Sequence, residues 1–335
     1  MVKKVKLGDV DVCAIAYGCM GLSQAYEPCS DDQSVKTLNA ILDMGYDHLD
    51  TAALYGFGRN EELLNKAIGH RRSEYFLASK GGLYRDASGN REINGRPEVI
   101  KKTCEDSLKR LGTDSIDLHY LHRIDLNVPI EESLGAFIEL RDAGKIRFIG
   151  LSEPSSATLE RATSFCEITA VQSELSLWTR KPNDSISDLC ASKGIAFVSY
   201  SPLGRGFMGG QIRDISALGD KDIRRTMPRF QGEQFVHNLK KLDELDELAR
   251  NENVSVAQLS LAWVLAQGPH VIAIPGTRFE DRARENLAVA ELNLSDSILQ
   301  KAGEIISPET VLGERWSDKI LREVDSEQGR FADLF

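Results

Sequence analysis

Residues 97–122 read PEVIKKTCEDSLKRLGTDSIDLHYLH and contain one complete helix-to-strand unit. Pro97 suits the first turn of a helix. The apolar residues after it fall on one helical stripe, at Ile100, Cys104, Leu108 and Leu111. Gly112 is a typical helix stop, and the β-rich run Ile116–Leu121 follows it. The stretch therefore predicts a helix that leads directly into a strand.

The same succession recurs along the whole chain, after an N-terminal hairpin predicted around Gly8-Asp9. Eight β-rich runs alternate with stretches of helical period: Ala14–Tyr17, His48–Asp50, Tyr75–Ser79, Ile116–Leu121, Phe148–Leu151, Ile168–Gln172, Ala196–Tyr200 and Val271–Ile274. Parallel strands need crossover connections, so eight strand-then-helix units predict an α/β fold, a (β/α)8 TIM barrel. We expect a single barrel domain over residues 1–335.

Helix caps and loops can be predicted at several positions. We expect Asp31 or Asp32 to cap the first helix and Ser255 to cap a later, largely apolar one. Two long insertions, Leu83–Arg96 and Leu203–Phe235, follow the third and seventh strands. Loops after barrel strands surround the active-site mouth, so we interpret these insertions as lids. Mobile surface insertions without a function are the alternative.

Composition narrows the class of protein. The 335 residues include 41 Lys and Arg and 51 Asp and Glu, which gives a formal net charge of −10. This acidic balance disfavours general nucleic-acid binding, and no apolar run is long enough to span a membrane. The six cysteines are scattered without a CxxC motif, as in a cytoplasmic protein with reduced thiols.

Three predicted strands end on an ionisable residue. Asp50 ends the second strand, Lys80 follows the third and His122 follows the fourth. Such residues project into the mouth of a barrel, where they usually act in catalysis. Tyr55 lies five residues past Asp50, on a loop that could fold over them.

These four residue types suit acid–base chemistry on a carbonyl group. A nearby ammonium lowers the pKa of a tyrosine from its free value of about 10. The phenol of Tyr55 can then protonate a carbonyl oxygen, while His122 donates a hydrogen bond to the same oxygen. None of the four side chains supplies hydride, so carbonyl reduction here, or its reverse, requires a nicotinamide cofactor.

Several separated motifs agree in order with one known family. They are Asp50-Thr51-Ala52-Ala53-Leu54-Tyr55-Gly56, Lys80 after its strand, and Asp117-Leu118-His119-Tyr120-Leu121-His122-Arg123-Ile124-Asp125. Over roughly residues 5–305 the chain resembles the aldo-keto reductases, which are (β/α)8 barrels that reduce aldehydes and ketones with NADPH. Gly150-Leu151-Ser152-Glu153 and Ile274-Pro275-Gly276-Thr277 are similar to plant, fungal and bacterial monomeric reductases. The resemblance implies a catalytic tetrad of Asp50, Tyr55, Lys80 and His122.

The resemblance also implies an NADPH site that is spread over several loops. Gly18 and Met20 follow the first strand at this site. Ser152 and Gln172 match residues that bind the nicotinamide carboxamide, and Tyr200 matches the aromatic residue that stacks on its ring. The turn along the pyrophosphate corresponds to Ser201, Leu203, Gly204 and Arg205. The site for the adenosine 2′-phosphate and adenine corresponds to Gly276, Thr277, Arg278, Arg282, Glu285 and Asn286.

The choice between NADPH and NADH depends on the residues after the eighth strand. Arg278 and Arg282 share one helix face near its positive N-terminus, which favours the phosphate of NADPH. Glu280 and Asp281 lie among them, and an acidic residue could instead bind the free ribose hydroxyl of NADH.

Other positions leave their roles open. Glu153 stands where many relatives have Asn, and Arg123 follows His122 where some steroid and sugar reductases of the family carry Trp. Trp178 either lines the substrate pocket or packs in the core. His119, three residues before His122, is expected to point to the opposite face of its strand.

The leading functional hypothesis is NADPH-dependent reduction of an aldehyde or ketone, with Tyr55 as general acid. The alternative is an NADPH-binding regulatory barrel subunit with little turnover. A metal-dependent barrel hydrolase would need a His-x-His strand motif, which the sequence lacks, so no metal is expected. We expect the protein to act on a small carbonyl substrate and not to bind nucleic acid or a membrane. We also expect a monomer or a weak homo-oligomer. The sequence does not name the substrate, because the two insertions and the tail after Ser307 shape the pocket.

Overall fold

The computed structural model describes residues 2–23, 25–26, 29–85, 91–180 and 184–328. The N-terminal hairpin predicted from the sequence is present as antiparallel strands β1 (Lys4–Leu7) and β2 (Val10–Cys13). The barrel strands that follow are β3 (Tyr17–Gly18), β4 (His48–Asp50), β5 (Phe76–Gly81), β8 (Ile116–Leu121), β9 (Ile146–Ser152), β10 (Ala170–Glu174), β11 (Ala196–Tyr200) and β12 (Val271–Ala273). A second hairpin, β6 (Leu83–Arg85) and β7 (Arg91–Ile93), follows β5.

The eight barrel strands are parallel, and each pairs with the next in chain order. Backbone hydrogen bonds also join the first strand region to β12, from Ala16 N to Ala273 O at 2.9 Å and from Ala273 N to Ala14 O at 2.8 Å. These bonds close the sheet, and the predicted (β/α)8 fold is confirmed. A Cβ on Gly276 would lie 2.5 Å from the carbonyl oxygen of Gly18, so this junction requires glycine.

Helices follow the strands and cover the outside of the barrel, except for the short last helix, whose Ile320 lines the central cavity. They are α1 (Asp31–Asp43), α2 (Arg59–Ile68), α3 (Pro97–Leu111), α4 (Ile130–Asp142), α5 (Ser156–Phe165), α6 (Asp184–Lys193), α7 (Gly232–Asn251), α8 (Val256–Leu265), α9 (Glu280–Ala288), α10 (Asp296–Ile305) and the short α11 (Asp318–Leu321). Gly112 ends α3 in the left-handed conformation, and Ser255 caps α8, both as predicted. The predicted cap of α1 was wrong: Ser30 accepts the hydrogen bond from Gln33 N, because its hydroxyl stands one residue ahead of Asp31.

Described residues of both insertions pack against the barrel. Leu83 and Arg91 of the β6–β7 hairpin line the central cavity. In the second insertion, Phe207 stacks on Trp178 at 4.5 Å and Phe230 meets the same indole edge-on at 5.7 Å. This buried aromatic cluster packs Phe207 and Phe230 of the insertion against the core; the lid and the mobile insertion stay predictions. Trp178 belongs to the core and does not line the cavity. Across the described ranges, no helix combines the length and apolarity that crossing a membrane demands.

Two buried histidines predict how stability depends on pH. Burial lowers the pKa of His48 and of His119 to about 4, whereas unfolded histidine titrates near about 6.5. As the pH falls below 6.5 the unfolded chain takes up protons first, so stability present at pH 7 is lost toward pH 4. We expect each residue to contribute about 2 kcal/mol to the loss in free energy of unfolding at pH 5.

Urea unfolding at pH 7.5 and 5.0 measures this difference in free energy, and a His48→Gln/His119→Gln variant should show a clearly smaller difference. An equal pH dependence in parent and variant would contradict the assignment.

Candidate active site

Four predicted side chains converge at the carboxyl end of the barrel. Lys80 Nζ forms a salt bridge with Asp50 Oδ1, donates to the carbonyl of Thr51 at 2.8 Å and lies 3.3 Å from the Tyr55 hydroxyl. The ring of His122 meets that of Tyr55 edge-on, with centroids 5.9 Å apart. Asp50 and Lys80 are fully buried, whereas Tyr55 reaches the cavity.

Local packing holds the loop that carries Tyr55. In this loop, the hydroxyl of Thr51 donates to Asn60 Oδ1 at 2.6 Å. In turn, Asn60 Nδ2 donates to the carbonyl of Cys19 at 2.9 Å. Asn60 lies in the first turn of α2, so the helix fixes the loop against the start of the barrel. The phenol is therefore positioned by backbone and buried amide contacts.

The electrostatics differ from the sequence prediction at Tyr55. Burial raises the pKa of Tyr55, and the opposing effect of Lys80 is smaller, so the hydroxyl titrates above its ordinary value. The predicted net lowering was therefore wrong, because desolvation of the phenolate outweighs attraction to the ammonium. For Lys80, burial acts to lower the pKa, but Asp50 and Tyr55 reverse this and raise it. Burial and the charge of Arg123 hold the pKa of His122 well below its usual range. At neutral pH the site therefore combines a protonated phenol, an ammonium and a neutral imidazole.

A cavity of about 430 Å³ opens above these groups. Most of the cofactor residues predicted from the sequence line it: Gly18, Met20, Ser152, Gln172, Tyr200, Ser201, Leu203, Arg205, Gly276, Thr277, Arg278 and Arg282. The amide of Gln172 also donates to Asp50 Oδ2 at 2.8 Å, which links the cavity floor to the tetrad.

Three of the predicted cofactor residues do not line the cavity. Gly204 packs on Trp178, and an added Cβ there would lie 2.6 Å from the indole. Asn286 is buried in α9, and the carbonyl of Glu285 accepts from Gln258 Nε2 at 3.4 Å. Glu280, one of the acidic residues that could have favoured NADH, lies 3.4 Å from Lys36 Nζ and outside the cavity lining.

Two parts of the cavity lining have features that suit phosphate groups. Ser201, Gly204, Arg205 and Gly206 have φ values of 51°, 54°, 61° and 85°, so this turn follows a left-handed path. Successive backbone amides in such turns form concave binding sites for anions such as a pyrophosphate. Farther along, Arg278 and Arg282 lie beside the Phe279 ring at 5.3 and 4.8 Å, which gives two cations beside an aromatic side chain. Cations paired in this way suit a phosphate group. The prediction that they share one helix face was wrong, because α9 begins at Glu280 and Arg278 lies in the loop before it.

A buried charge cluster behind the cavity was missed in the sequence. Arg315 Nη2 lies 2.8 Å from a carboxylate oxygen of Glu153 and 2.8 Å from one of Glu327, and Nη1 lies 3.5 Å from Glu174. Burial acts to raise the pKa of Glu153, but Arg315 outweighs it and holds the pKa far below its usual range. Through its ion pair with Arg315, Glu153 therefore holds the C-terminal segment in place. Trp316 and Ile320 of this segment line the cavity. The signal in the sequence was Glu153 itself, which stands where many relatives have Asn, but nothing there indicated Arg315 as its partner.

Comparisons with known sequences agree along most of the chain. The sequence pattern of the aldo/keto reductase family matches residues 14–306. An aldo-keto reductase [NADP(+)] of Schizosaccharomyces pombe is 38% identical over 317 residues, which cover 93% of each chain. A probable aldo-keto reductase of Glycine max is 38% identical over 319 residues, covering 94% of this chain and 92% of that one.

Solved structures show the same similarity. The glycerol dehydrogenase of Gluconobacter oxydans superimposes with a TM-score of 0.83 at 29% identity, covering 90% of this chain and 94% of the other. An aldo-keto reductase of Klebsiella pneumoniae, solved in complex with NADPH, gives a TM-score of 0.71 at 25% identity and covers 95% and 99%.

Proposed function

The chain belongs to the aldo/keto reductase family of NADP-dependent oxidoreductases, and on that premise we propose that it reduces an aldehyde or ketone to an alcohol with Tyr55 as the general acid. The observation that carries this proposal is the contact of the Lys80 ammonium with both Asp50 and the Tyr55 hydroxyl at the floor of an open cavity. A small carbonyl compound is the expected substrate.

Each tetrad residue has a distinct task in this proposal. The Tyr55 hydroxyl donates a hydrogen bond to the carbonyl oxygen and transfers its proton as that oxygen gains negative charge. Lys80 stabilises the phenolate left behind, and Asp50 keeps Lys80 charged and oriented. His122 is neutral, so it orients the carbonyl by a hydrogen bond without adding a charge. NADPH, when bound, supplies the hydride.

The cavity lining suggests how the chain holds NADPH. We assign the carboxamide to Ser152 and Gln172, and the face of Tyr200 to the nicotinamide ring. The turn at residues 201–206 would bind the pyrophosphate through its amides, and Arg278 and Arg282 would bind the 2′-phosphate. Gly204, Glu285 and Asn286 lie outside the cavity lining, so we assign them no direct contact with NADPH.

The phosphate assignment predicts a selective loss of cofactor affinity. Replacing Arg278 and Arg282 with glutamine should raise the Kd for NADPH at least about tenfold, because the 2′-phosphate loses two charged hydrogen-bond donors. The Kd for NADH, which lacks this phosphate, should stay close to that of the parent. Cofactor fluorescence titration measures both constants.

Arg284→Gln is the matched control, since Arg284 is exposed on the same helix and lies outside the cavity lining. Its NADPH affinity should match that of the parent. Equal weakening of NADPH and NADH binding in the double variant would show that the two arginines support the fold of the loop and do not recognise the phosphate.

We further propose a cytoplasmic protein that acts as a monomer or weak homo-oligomer. Multiple turnovers with NADPH would distinguish the reductase from a regulatory subunit that only retains the cofactor.

A further inference from the structure

Arg123 is a buried cation whose position the proposed reaction does not explain. It follows His122 at the end of β8, is 9% exposed and lines the cavity. Its Nη1 donates to the carbonyl of His122 at 2.7 Å and to the Ser152 hydroxyl at 3.1 Å. Its Nε is buried and has no hydrogen-bond partner in the described part of the chain.

Other buried arginines around the cavity are neutralised. Arg205 lies 3.6 Å from Glu174, and Arg224 lies 2.6 Å from Asp222. For Arg123, by contrast, the described residues place no carboxylate oxygen within 4.0 Å of the guanidinium. Its charge helps to lower the pKa of Glu153, but the Glu153 carboxylate is in direct contact with Arg315 and not with Arg123. A buried charge is costly unless an opposite charge compensates it.

The guanidinium lies among the reacting groups. Its charge contributes to the lowered pKa of His122, and it acts on the phenols of Tyr55 and Tyr200 as well. A second cation, Arg91, enters the same cavity from the β6–β7 hairpin, where it pairs with Glu323 at 2.8 Å. Apolar side chains that include Leu54, Leu83, Trp316 and Ile320 also line the cavity. The acidic residue that lines the cavity, Asp50, is neutralised by Lys80.

We propose that Arg123 binds a carboxylate of the substrate, so that the preferred substrates are carbonyl compounds that carry a carboxylate close to the reacting group. The planar fork of arginine can give two parallel hydrogen bonds to such a group, and the ligand supplies the direct carboxylate contact that Arg123 lacks among the described residues. This inference rests on the proposed carbonyl reduction and specifies its substrate class.

Matched acids and esters test the proposal. With NADPH, the parent is expected to reduce 3- or 4-carboxybenzaldehyde with a kcat/KM at least about tenfold above that of the corresponding methyl ester. In Arg123→Gln this acid-to-ester ratio should fall to near one. Arg250→Gln, at an exposed position on α7, should keep the parent ratio.

An acid-to-ester ratio of one or below in the parent, for both isomers, would overturn the proposal. An unchanged ratio in Arg123→Gln would also overturn it, and Arg123 would then be a positioning residue for Ser152 and His122.

Binding to the parent protein gives a readout that depends neither on turnover nor on folding of a variant. Calorimetric titration of the NADP⁺ complex is expected to show benzoate binding at least about tenfold more tightly than benzamide, its neutral analogue. Equal affinities would overturn the proposal. If none of the aldehydes is reduced but benzoate is still preferred, the proposed reaction fails. Loss of that preference in Arg123→Gln then supports the anion site, whereas an unchanged preference overturns it, because the cationic nicotinamide ring, Tyr55 and His122 can also attract a carboxylate.

Discussion

Replacing Tyr55 with phenylalanine is expected to lower kcat for carbonyl reduction by about a hundredfold to ten-thousandfold, the range for loss of a positioned general acid. The substitution removes the hydroxyl that lies 3.3 Å from Lys80 Nζ and leaves the ring edge against His122. The Kd for NADPH should stay near that of the parent, because the ring still fills its place. Steady-state kinetics and fluorescence titration on the same preparation measure the two constants.

Tyr75→Phe is the matched control. Tyr75 precedes β5 at the opposite end of the barrel and does not line the central cavity, so its variant should keep the parent kcat. Because burial raises the pKa of Tyr55, the phenol stays protonated through neutral pH, and we expect kcat to be flat between about pH 6 and 8. A Tyr55→Phe variant that turns over like the parent would show that another group delivers the proton.

Replacing Arg315 with methionine is expected to reduce the free energy of unfolding by about 3–5 kcal/mol, as found when one partner of a buried ion pair is removed. Glu153, Glu174 and Glu327 would be left buried without their shared cation. Denaturant unfolding measures the loss. Because Trp316 follows directly and lines the cavity, KM for the substrate should also rise, with little change in the Kd for NADPH.

Two further variants isolate the charge effect. Arg322→Met changes an exposed residue of the same C-terminal segment and should alter stability by less than about 0.5 kcal/mol. Adding Glu153→Gln to Arg315→Met should recover part of the loss, because it removes one of the stranded charges. If Arg315→Met costs less than about 1 kcal/mol, the cluster is not the anchor of the segment.

Much of the site was predictable because the barrel converts sequence order into spatial order. Asp50, Lys80 and His122 stand at the ends of successive strands, and parallel neighbours bring successive strand ends to one rim. The fold followed from the alternation of β-rich and helical periods, and strand ends differ from the prediction by at most three residues. These signals are local or periodic, so they can be read without knowing which distant residues meet.

The tertiary structure decided what depends on distant neighbours or on sums of opposing effects. Glu153 and Arg315 are 162 residues apart, and no local pattern joins them. The direction of the Tyr55 pKa is the balance of burial against the Lys80 charge, and only the packed structure fixes how much water is excluded. The same holds for Arg123, whose lack of a carboxylate partner appears only when the surrounding chain is folded. The sequence by itself therefore determined the barrel and which ionisable side chains meet at its rim, whereas the fold decided the protonation, anchoring and ion pairing of the site, because these depend on three-dimensional distance and burial.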